Sequence, residues 1–247
     1  MLFGAHVKSV EDPDVLREMG FDFGELVLSG SEKRALWQES GILSPLSDSF
    51  FLVAHGPVEG DPNDLKNIWE RYFPSLQETV NLSARMGISY LTIHLYSDAR
   101  FVKREVLEEK RRLLNGLVSY AAARNVRVGL ENLSESAADL CLIADGVPDL
   151  AITLDVGHAQ LLSEKNRSFE IIESLGPLIE HVHLHDNRGG SGHTDDLHLP
   201  IGEGNVDFPR VLGALTATGY DGTMTLEVPR PVLARSREII RAILDAR

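Results

Sequence analysis

The chain has 247 residues with a hydrophobic fraction of 43%, and its 37 acidic and 24 basic residues give a formal net charge of −13. A chain of this length can bury a sizeable core, and its acidic balance weighs against loose electrostatic binding to nucleic acid or anionic membranes. No apolar run approaches the roughly 18 to 20 residues that span a bilayer, and the first residues lack the basic region and apolar core of a secretory signal, so we expect a cytoplasmic protein without a membrane partner.

Short β-rich runs alternate with longer helical patterns along the whole chain. Runs of apolar and β-branched residues predict strands at residues 2–6, 21–28, 50–55, 88–94, 126–131, 151–155, 179–186 and 223–228. Helical periodicity and turn residues predict helices at residues 13–19, between 29 and 41, and at 61–87, 101–124, 136–144, 169–175, 208–218 and 231–244. Pro74 is predicted to kink or divide the third of these helices.

Eight β/α units in one chain, without a linker rich in proline, glycine or serine, predict a specific architecture. The fold class is α/β, and the expected fold is a (β/α)8 TIM barrel that forms a single domain over residues 1–247. A doubly wound sheet built from the same elements is the alternative.

Six consecutive predicted strands finish at or near a residue that can bind a metal ion. These residues are His55, His94, Glu131, Asp155, His183 and Glu227. In a parallel barrel the carboxyl ends of the strands lie together, so these side chains should converge at one mouth, where active sites of this fold are found. Burying so many ionisable groups without a metal or mutual pairing would cost on the order of several kcal/mol.

Five of the nine histidines lie in predicted strand seven and the loop that follows it. Strand alternation would direct His181, His183 and His185 to one face. The glycine-containing loop continues to Asp196 and His198, a carboxylate and an imidazole that could close over the site. A polar loop with solvated histidines is the alternative. Three histidines are expected to be structural or solvated rather than ligands: His6, His181 and His193.

Five short motifs occur in order along the chain. They are LEN at 130–132, LDVGHA at 154–159, HVHLHDN at 181–187, HLPIGEGNVDF at 198–208 and LEV at 226–228. With these motifs the chain resembles, over nearly its whole length, the xylose isomerase-like TIM-barrel superfamily. That superfamily includes sugar and sugar-phosphate isomerases and epimerases, and also endonuclease IV.

The resemblance to the isomerase and epimerase branch implies one divalent metal ion held by Glu131, Asp155, His183 and Glu227. It also implies that Glu131 and Glu227 are an acid and base pair that transfers a proton on a small sugar or sugar phosphate, while the metal stabilises the enediolate. His158 would contact this substrate. Further contacts to the substrate or to the ligating imidazoles are expected from His185, Asp186 and Asn187.

The endonuclease IV branch implies a larger, trinuclear zinc site. The residues at its matching positions are His55, His94, Glu131, Asp155, His158, His183, Asp196, His198 and Glu227. Under this alternative the protein would be a zinc-dependent phosphodiesterase that acts on abasic DNA. The loops after His55 and His94 lack the aromatic and basic residues of a DNA-inserting surface. The sequence therefore favours a small substrate and more than one metal ion; a catalytically idle barrel that retains a metal site is the third alternative.

The predicted ligands supply nitrogen and oxygen donors without a thiolate. Such donors suit Zn²⁺, Mn²⁺, Co²⁺, Fe²⁺ or Mg²⁺, although imidazole is a poorer ligand for Mg²⁺ than for the others. The expected cofactor is therefore one or more divalent ions, with Zn²⁺ and Mn²⁺ favoured.

Overall fold

The computed structural model describes residues 1–47 and 49–246, except for the side chain of His193, so the prediction for that histidine lies outside the described residues. The strands are β1 Leu2–Val7, β2 Phe23–Val27, β3 Phe51–His55, β4 Tyr90–Ile93, β5 Arg127–Glu131, β6 Leu150–Asp155, β7 Ile179–Leu184 and β8 Thr223–Leu226. Each strand pairs in parallel with the next, and β8 pairs with β1. The predicted (β/α)8 barrel is confirmed, and the closed sheet excludes the doubly wound alternative.

Helices follow the strands along the chain. They are α1 Asp12–Glu18, α2 Ser31–Ser40, α3 Leu65–Asn67, α4 Phe73–Arg85, α5 Arg104–Ala122, α6 Ala137–Ala144, α7 Ser168–Leu175, α8 Phe208–Ala217 and α9 Leu233–Asp245. In α5, the side chains of Leu113, Leu114 and Leu117 are fully buried in the core, which stabilises the helix by about 1.5–3 kcal/mol per side chain. Among the residues that the structure describes, none of the helices has the length and apolar character that a membrane crossing requires.

The long helical segment before β4 departs from the prediction in two ways. It begins later than predicted, at Leu65, because the Asp64 carboxylate accepts a hydrogen bond from the N–H of Asn67 and caps the first turn. The division expected at Pro74 takes the form of a π-helical turn, Ile68–Tyr72, between α3 and α4. Proline lacks the N–H that would continue the regular hydrogen-bond ladder, so the irregular turn precedes it.

The interior of the barrel is polar at mid-height. Thr92 of β4 and Thr153 of β6 are joined by a 3.1 Å hydrogen bond between their Oγ1 atoms, although β5 separates the two strands. Gly129 of β5 makes this contact possible, since a Cβ there would lie 2.1 Å from Oη of Tyr90 and 2.6 Å from Oγ1 of Thr153. The alternation of inward polar and outward apolar residues therefore prepares a hydrogen-bonded interior beneath the barrel mouth.

A buried ion pair joins α5 to the loops that follow β3 and β4. Nζ of Lys110 lies 2.7 Å from Oε1 of Glu59, and both side chains are buried. The same Nζ donates to the carbonyl of Tyr96 at 2.6 Å, and Oε2 of Glu59 accepts from the N–H of Tyr96 at 2.9 Å. One lysine on the outer helix thus fixes two loops at the barrel mouth.

Glu135, in the loop after β5, is a second buried carboxyl group in this region. Its oxygens accept hydrogen bonds from the backbone N–H groups of Ser97 and Leu133, each at 2.7 Å. Burial, partly offset by these hydrogen bonds, raises the pKa of Glu135 to about 7. The folded protein therefore retains a proton that the unfolded chain loses near pH 4.5.

We expect the Glu135→Gln variant to show a flatter pH dependence of stability than the unsubstituted protein. A pKa raised on folding contributes stability that is present below about pH 4.5 and is lost as pH rises through about 7, by about 3 kcal/mol in total. The neutral amide cannot lose a proton, so this loss should disappear, although one backbone N–H loses its acceptor at every pH. Urea unfolding at pH 5, 6, 7 and 8 measures the effect, with Glu78→Gln as an exposed control. Parallel curves for Glu135→Gln and the control would contradict the assignment.

Candidate metal centre

The carboxyl ends of the strands bring the predicted metal ligands to one mouth of the barrel. Four of them lie within strands: His55, Glu131, Asp155 and His183. Two directly follow strands, His94 after β4 and Glu227 after β8. Three lie in the loops after β6 and β7: His158, Asp196 and His198. We call this cluster the candidate metal centre.

Glu131 lies at the centre of one half of the cluster. Its Oε2 is 3.1 Å from Nε2 of His55 and 2.9 Å from Nε2 of His94. Its Oε1 is 3.2 Å from Nδ1 of His183 and 3.2 Å from Nδ1 of His158. Four imidazoles from different strands and loops thus converge on one buried carboxylate.

His183 connects this half to the remaining carboxylates. Its Nδ1 lies 3.2 Å from Oε1 of Glu227 and 3.7 Å from Oδ2 of Asp155. His6 also reaches this position, because its Nε2 lies 2.7 Å from Oε1 of Glu227. Closure of β8 onto β1 thus places His6, expected to be structural or solvated, beside a predicted catalytic glutamate.

The loops after β6 and β7 form a second group of donors. Oδ2 of Asp196 lies 3.2 Å from Nε2 of His158 and 3.0 Å from Nε2 of His198. The ring of His185 stacks on His198 at 4.0 Å, with its Nε2 3.1 Å from Oδ1 of Asp155. His198 adopts a left-handed backbone conformation, with φ of 44°. Such strained residues concentrate at functional sites.

Gly157, in the LDVGHA motif, explains how His185 enters this group. A Cβ at Gly157 would lie 2.2 Å from Cε1 of the His185 ring. The absent side chain therefore leaves the space in which the imidazole reaches Asp155. His185 itself lies just beyond β7, which ends at Leu184 rather than at residue 186.

Two predicted substrate contacts have other partners. The buried carboxylate of Asp186 accepts hydrogen bonds from the N–H groups of Asn187, Gly202 and Val206. Its oxygens thus bind the backbone of the loop after β7. The side chain of Asn187 lies beside Asp196, with Nδ2 3.5 Å from Oδ1. The geometry argues against a substrate contact by Asp186, whereas His158 and His185 face the cluster.

Sequence reasoning missed Glu25. This residue lies within β2, is fully buried, and accepts hydrogen bonds from Nε2 of His183 at 3.2 Å and Nε2 of His181 at 3.3 Å. Burial alone would raise the pKa of Glu25, but the charges of His183 and His181 hold that pKa well below its usual range. An acidic residue inside an otherwise apolar strand was the available signal. His181, expected to be structural or solvated, is fully buried, and its Nδ1 contacts Oγ1 of Thr223 at 2.6 Å.

We expect Glu25→Gln to weaken divalent-metal binding by about 10- to 100-fold. The carboxylate holds Nε2–H of His183 and makes the opposite ring nitrogen, which faces Glu131 and Glu227, more basic; an amide accepts that hydrogen bond more weakly. Competition for Zn²⁺ with a chromophoric chelator measures the affinity. Glu180→Gln, an exposed change on β7, the strand that holds His183, is the control. Equal Zn²⁺ affinity in the two variants would contradict a role of Glu25 in metal binding.

Several features of the cluster fit a divalent cation. His55, His158 and His198 each place Nδ1 against a backbone carbonyl, at 3.1, 3.2 and 3.0 Å, and turn Nε2 toward carboxylates. Metal-binding histidines typically use their second nitrogen in this way. Oδ2 of Asp155 and Nδ1 of His185 are buried without a hydrogen-bond partner among the described residues, and Nε2 of His185, although 3.1 Å from Oδ1 of Asp155, is not aligned for a hydrogen bond. Such atoms call for an ion or an equivalent partner.

The electrostatics of the cluster also favour added positive charge. Burial lowers the pKa of His55 and His198, yet hydrogen bonds to Glu131 and Asp196 raise each to about 9. Burial would raise the pKa of Glu131, but the charges of His94 and His183 and hydrogen bonds from His158 and His183 hold it well below its usual range. The carboxylates therefore favour protonated imidazoles, or a bound cation that replaces those protons. Metal binding should release those protons.

A cleft of about 520 Å³ opens beside the cluster, and its inner end is formed by His94, His158 and Asp196. Away from that end, its wall includes the apolar residues Val58, Pro62, Tyr96, Phe101, Leu133, Leu161 and Leu162. We call this space the apolar cleft. Its volume lies within the range of about 300–1,000 Å³ that is usual for small-molecule sites.

Solved structures with the same fold include several proteins named as sugar epimerases. A D-tagatose 3-epimerase-like protein superposes with a TM-score of 0.80 at 25% identity, over 100% of this chain and 98% of that chain. An L-ribulose 3-epimerase gives 0.72 at 18% identity, over 99% and 95% of the two chains. The TTHB071 protein from Thermus thermophilus, soaked with ZnCl₂, gives 0.76 at 21% identity, over 100% and 99%.

Sequence relatives are uncharacterized proteins. MJ1311 of Methanocaldococcus jannaschii is 33% identical over 151 residues, which cover 57% of this chain and 50% of that protein, so the match spans half of that relative's length. The y4fM protein of Sinorhizobium fredii is 27% identical over 236 residues, covering 87% of this chain and 72% of that protein. A family model described as a xylose isomerase-like TIM barrel matches residues 13–245. The chain therefore belongs to the xylose isomerase-like TIM-barrel family.

Proposed function

We propose that this protein is a divalent-metal-dependent isomerase or epimerase of a small sugar or sugar phosphate. One observation carries the proposal: carboxylate oxygens of Glu131, at the end of β5, and Glu227, just after β8, both lie 3.2 Å from Nδ1 of His183. Two buried carboxylates are thus held at one position at the inner end of the site. Inversion at a carbon by proton transfer needs such a pair, with one group to remove the proton and one to return it on the other face.

The candidate ligands of the principal cation are Glu131, Asp155, His183 and Glu227, and His55, His94, His158, Asp196 and His198 would hold further cations. This donor set suits Zn²⁺ or Mn²⁺. A bound cation would supply a Lewis acid that stabilises negative charge on the substrate oxygens. The charges of neighbouring histidines keep Glu131 and Glu227 ionised despite their burial, so that either can accept a proton. His158, at the inner end of the apolar cleft, would orient the substrate.

The sugar class of the substrate is supported by two features. Of the structural neighbours named above, one is an L-ribulose 3-epimerase and one a D-tagatose 3-epimerase-like protein, and the apolar cleft has the volume of a small-molecule site. For inversion at carbon, Glu131 and Glu227 would act on opposite faces. For a shift of the carbonyl along the chain, one of them would carry the proton between adjacent carbons.

A second candidate, a zinc-dependent phosphodiesterase that acts on abasic DNA, is favoured by the convergence of all nine residues predicted for a trinuclear site. A paired assay separates the two functions. One metal-loaded preparation is tested for deuterium incorporation from solvent across ketoses and aldoses, and for incision of an abasic-site duplex at low salt. We expect incorporation that is lost after chelation. Incision that Glu131→Gln abolishes, with no incorporation into any sugar, would replace the isomerase assignment with the nuclease.

The donor groups predict a metal stoichiometry above one. Protein dialysed against Zn²⁺ or Mn²⁺ should hold more than one equivalent by elemental analysis, because the donors around Asp196 form a second group beside those around Glu131. His198→Ala should remove part of the metal and leave the rest. The His198 ring lies 3.0 Å from Oδ2 of Asp196 and 3.4 Å from Oε2 of Glu227, and it has no such contact with Glu131 among the described ion pairs. A single equivalent that persists in excess metal would make His198 and Asp196 substrate contacts instead.

A further inference from the structure

The apolar cleft differs in character from the polar mouth that it adjoins. Two large apolar side chains stand exposed at its rim, since Val58 is 70% and Phe101 is 50% accessible to solvent. His94, His158 and Asp196 of the candidate metal centre line it too, so the cleft adjoins that centre. A substrate bound at the glutamates would therefore extend along an apolar wall.

The polar side chains in this wall already have partners within the protein. Oγ of Ser134 donates to Asp98 at 2.9 Å, so the 2.8 Å contact between Oη of Tyr96 and Oγ of Ser134 uses the tyrosine proton. The Glu59 carboxylate is engaged by Lys110 and by the N–H of Tyr96. With their own protons engaged, these side chains offer a sugar hydroxyl only acceptor atoms, whereas an apolar group would gain from burial against the surrounding wall.

Leu162 is held in the wall against its backbone preference. Its φ is 51°, in the left-handed region that is unfavourable for a leucine. Its N–H donates to the carbonyl of Gly190 at 2.8 Å, and its own carbonyl accepts from Arg100 at 2.9 Å and from Arg167 at 3.1 Å. Strain maintained by such contacts is typical of ligand-binding positions.

Two aromatic rings in the wall are nearly parallel. The planes of Tyr96 and Phe101 are 21° apart with ring centroids at 6.3 Å, and the Arg100 guanidinium lies 5.3 Å from the Phe101 centroid. We propose that the sugar substrate carries an aryl substituent, remote from its carbonyl, that binds in the apolar cleft against Tyr96, Phe101 and Leu162. This inference rests on the proposed isomerase or epimerase function, because the carbonyl end must reach Glu131 and Glu227.

The test uses matched probes. The 6-O-benzyl and 6-O-methyl ethers of fructose, tagatose, psicose and sorbose place the carbonyl and the substituent at opposite ends of the sugar. Binding to the Zn²⁺-loaded full chain is measured by calorimetry, and deuterium incorporation is measured on the same samples. For at least one ketose, we expect the benzyl ether to bind about tenfold or more tightly than the methyl ether, since a phenyl ring is buried.

Variants locate the effect. Phe101→Ser and Leu162→Gly should reduce the benzyl preference to less than about threefold, and glycine suits the backbone at 162. Leu43→Ser, a control at an exposed leucine before β3, should leave it unchanged. Benzyl and methyl ethers that bind within about threefold of each other for all four ketoses would overturn the aryl subsite, even if the unsubstituted sugars exchange deuterium. A benzyl preference that depends on the cleft, with no exchange on any sugar, would retain the subsite and overturn the proposed function.

Discussion

Replacing Glu131 or Glu227 with glutamine is expected to reduce sugar turnover by about 10²- to 10⁴-fold. An amide keeps the shape of the side chain but cannot accept a proton from carbon. Burial would raise the pKa of Glu227, yet the charges of His183 and His6 hold it well below its usual range, so the unsubstituted group is ionised before it meets the substrate. The barrel should remain folded, because both substitutions lie at the mouth and leave the apolar core intact.

The two variants should also differ from each other. If the carboxylates act on opposite faces of one carbon, each variant loses product formation but keeps deuterium exchange into one epimer through the remaining glutamate. Turnover is compared per equivalent of bound metal, measured by elemental analysis, because both residues are candidate ligands. Glu164→Gln, an exposed loop change, is the control. Turnover within about tenfold of the unsubstituted protein at equal metal content would contradict the roles of Glu131 and Glu227.

Replacing Lys110 with methionine is expected to lower the free energy of unfolding by about 3–5 kcal/mol. The substitution leaves the Glu59 carboxylate buried without its cation, and the carbonyl of Tyr96 without its donor. For a chain of this length the melting temperature should fall on the order of 10 °C. Burial already raises the pKa of Glu59 even though Lys110 lowers it, so in the variant the carboxyl group can take up a proton. The loss of stability should therefore be smaller at pH 5 than at pH 8.

The double variant Lys110→Met, Glu59→Gln tests the origin of this loss. A neutral amide needs no cation, and its oxygen can still accept from the N–H of Tyr96, so much of the stability should return. Urea unfolding measures all variants, and Lys103→Met, at an exposed position just before the same helix, is the control. A single-variant loss below about 1 kcal/mol would mean that the pair contributes little beyond an exposed salt bridge.

Much of the barrel and part of its mouth follow from local patterns. Strands with a side-chain period of two form the sheet, and helices with a period of 3.6 cover its faces. Few arrangements of alternating strands and helices bury both faces of a parallel sheet, so eight such units predict the barrel. Parallel pairing then brings the ends of all strands to one side. For this reason His55, Glu131 and Asp155 could be placed together from their positions in the strands, although no contact between them is visible in the sequence.

Only the tertiary structure revealed contacts that depend on barrel closure and loop paths. Glu25 meets His183 across the interior, although 158 positions separate them in the chain. His6 reaches Glu227 because β1 and β8 pair, and Asp186 turns away from the site because its carboxylate binds the backbone of the following loop. Local periodicity assigns a residue to a face, but it carries no information about which distant side chain lies opposite. The sequence by itself thus determined the fold and the residues at the strand ends. Closure of the barrel decided which side chains from distant strands contact those residues.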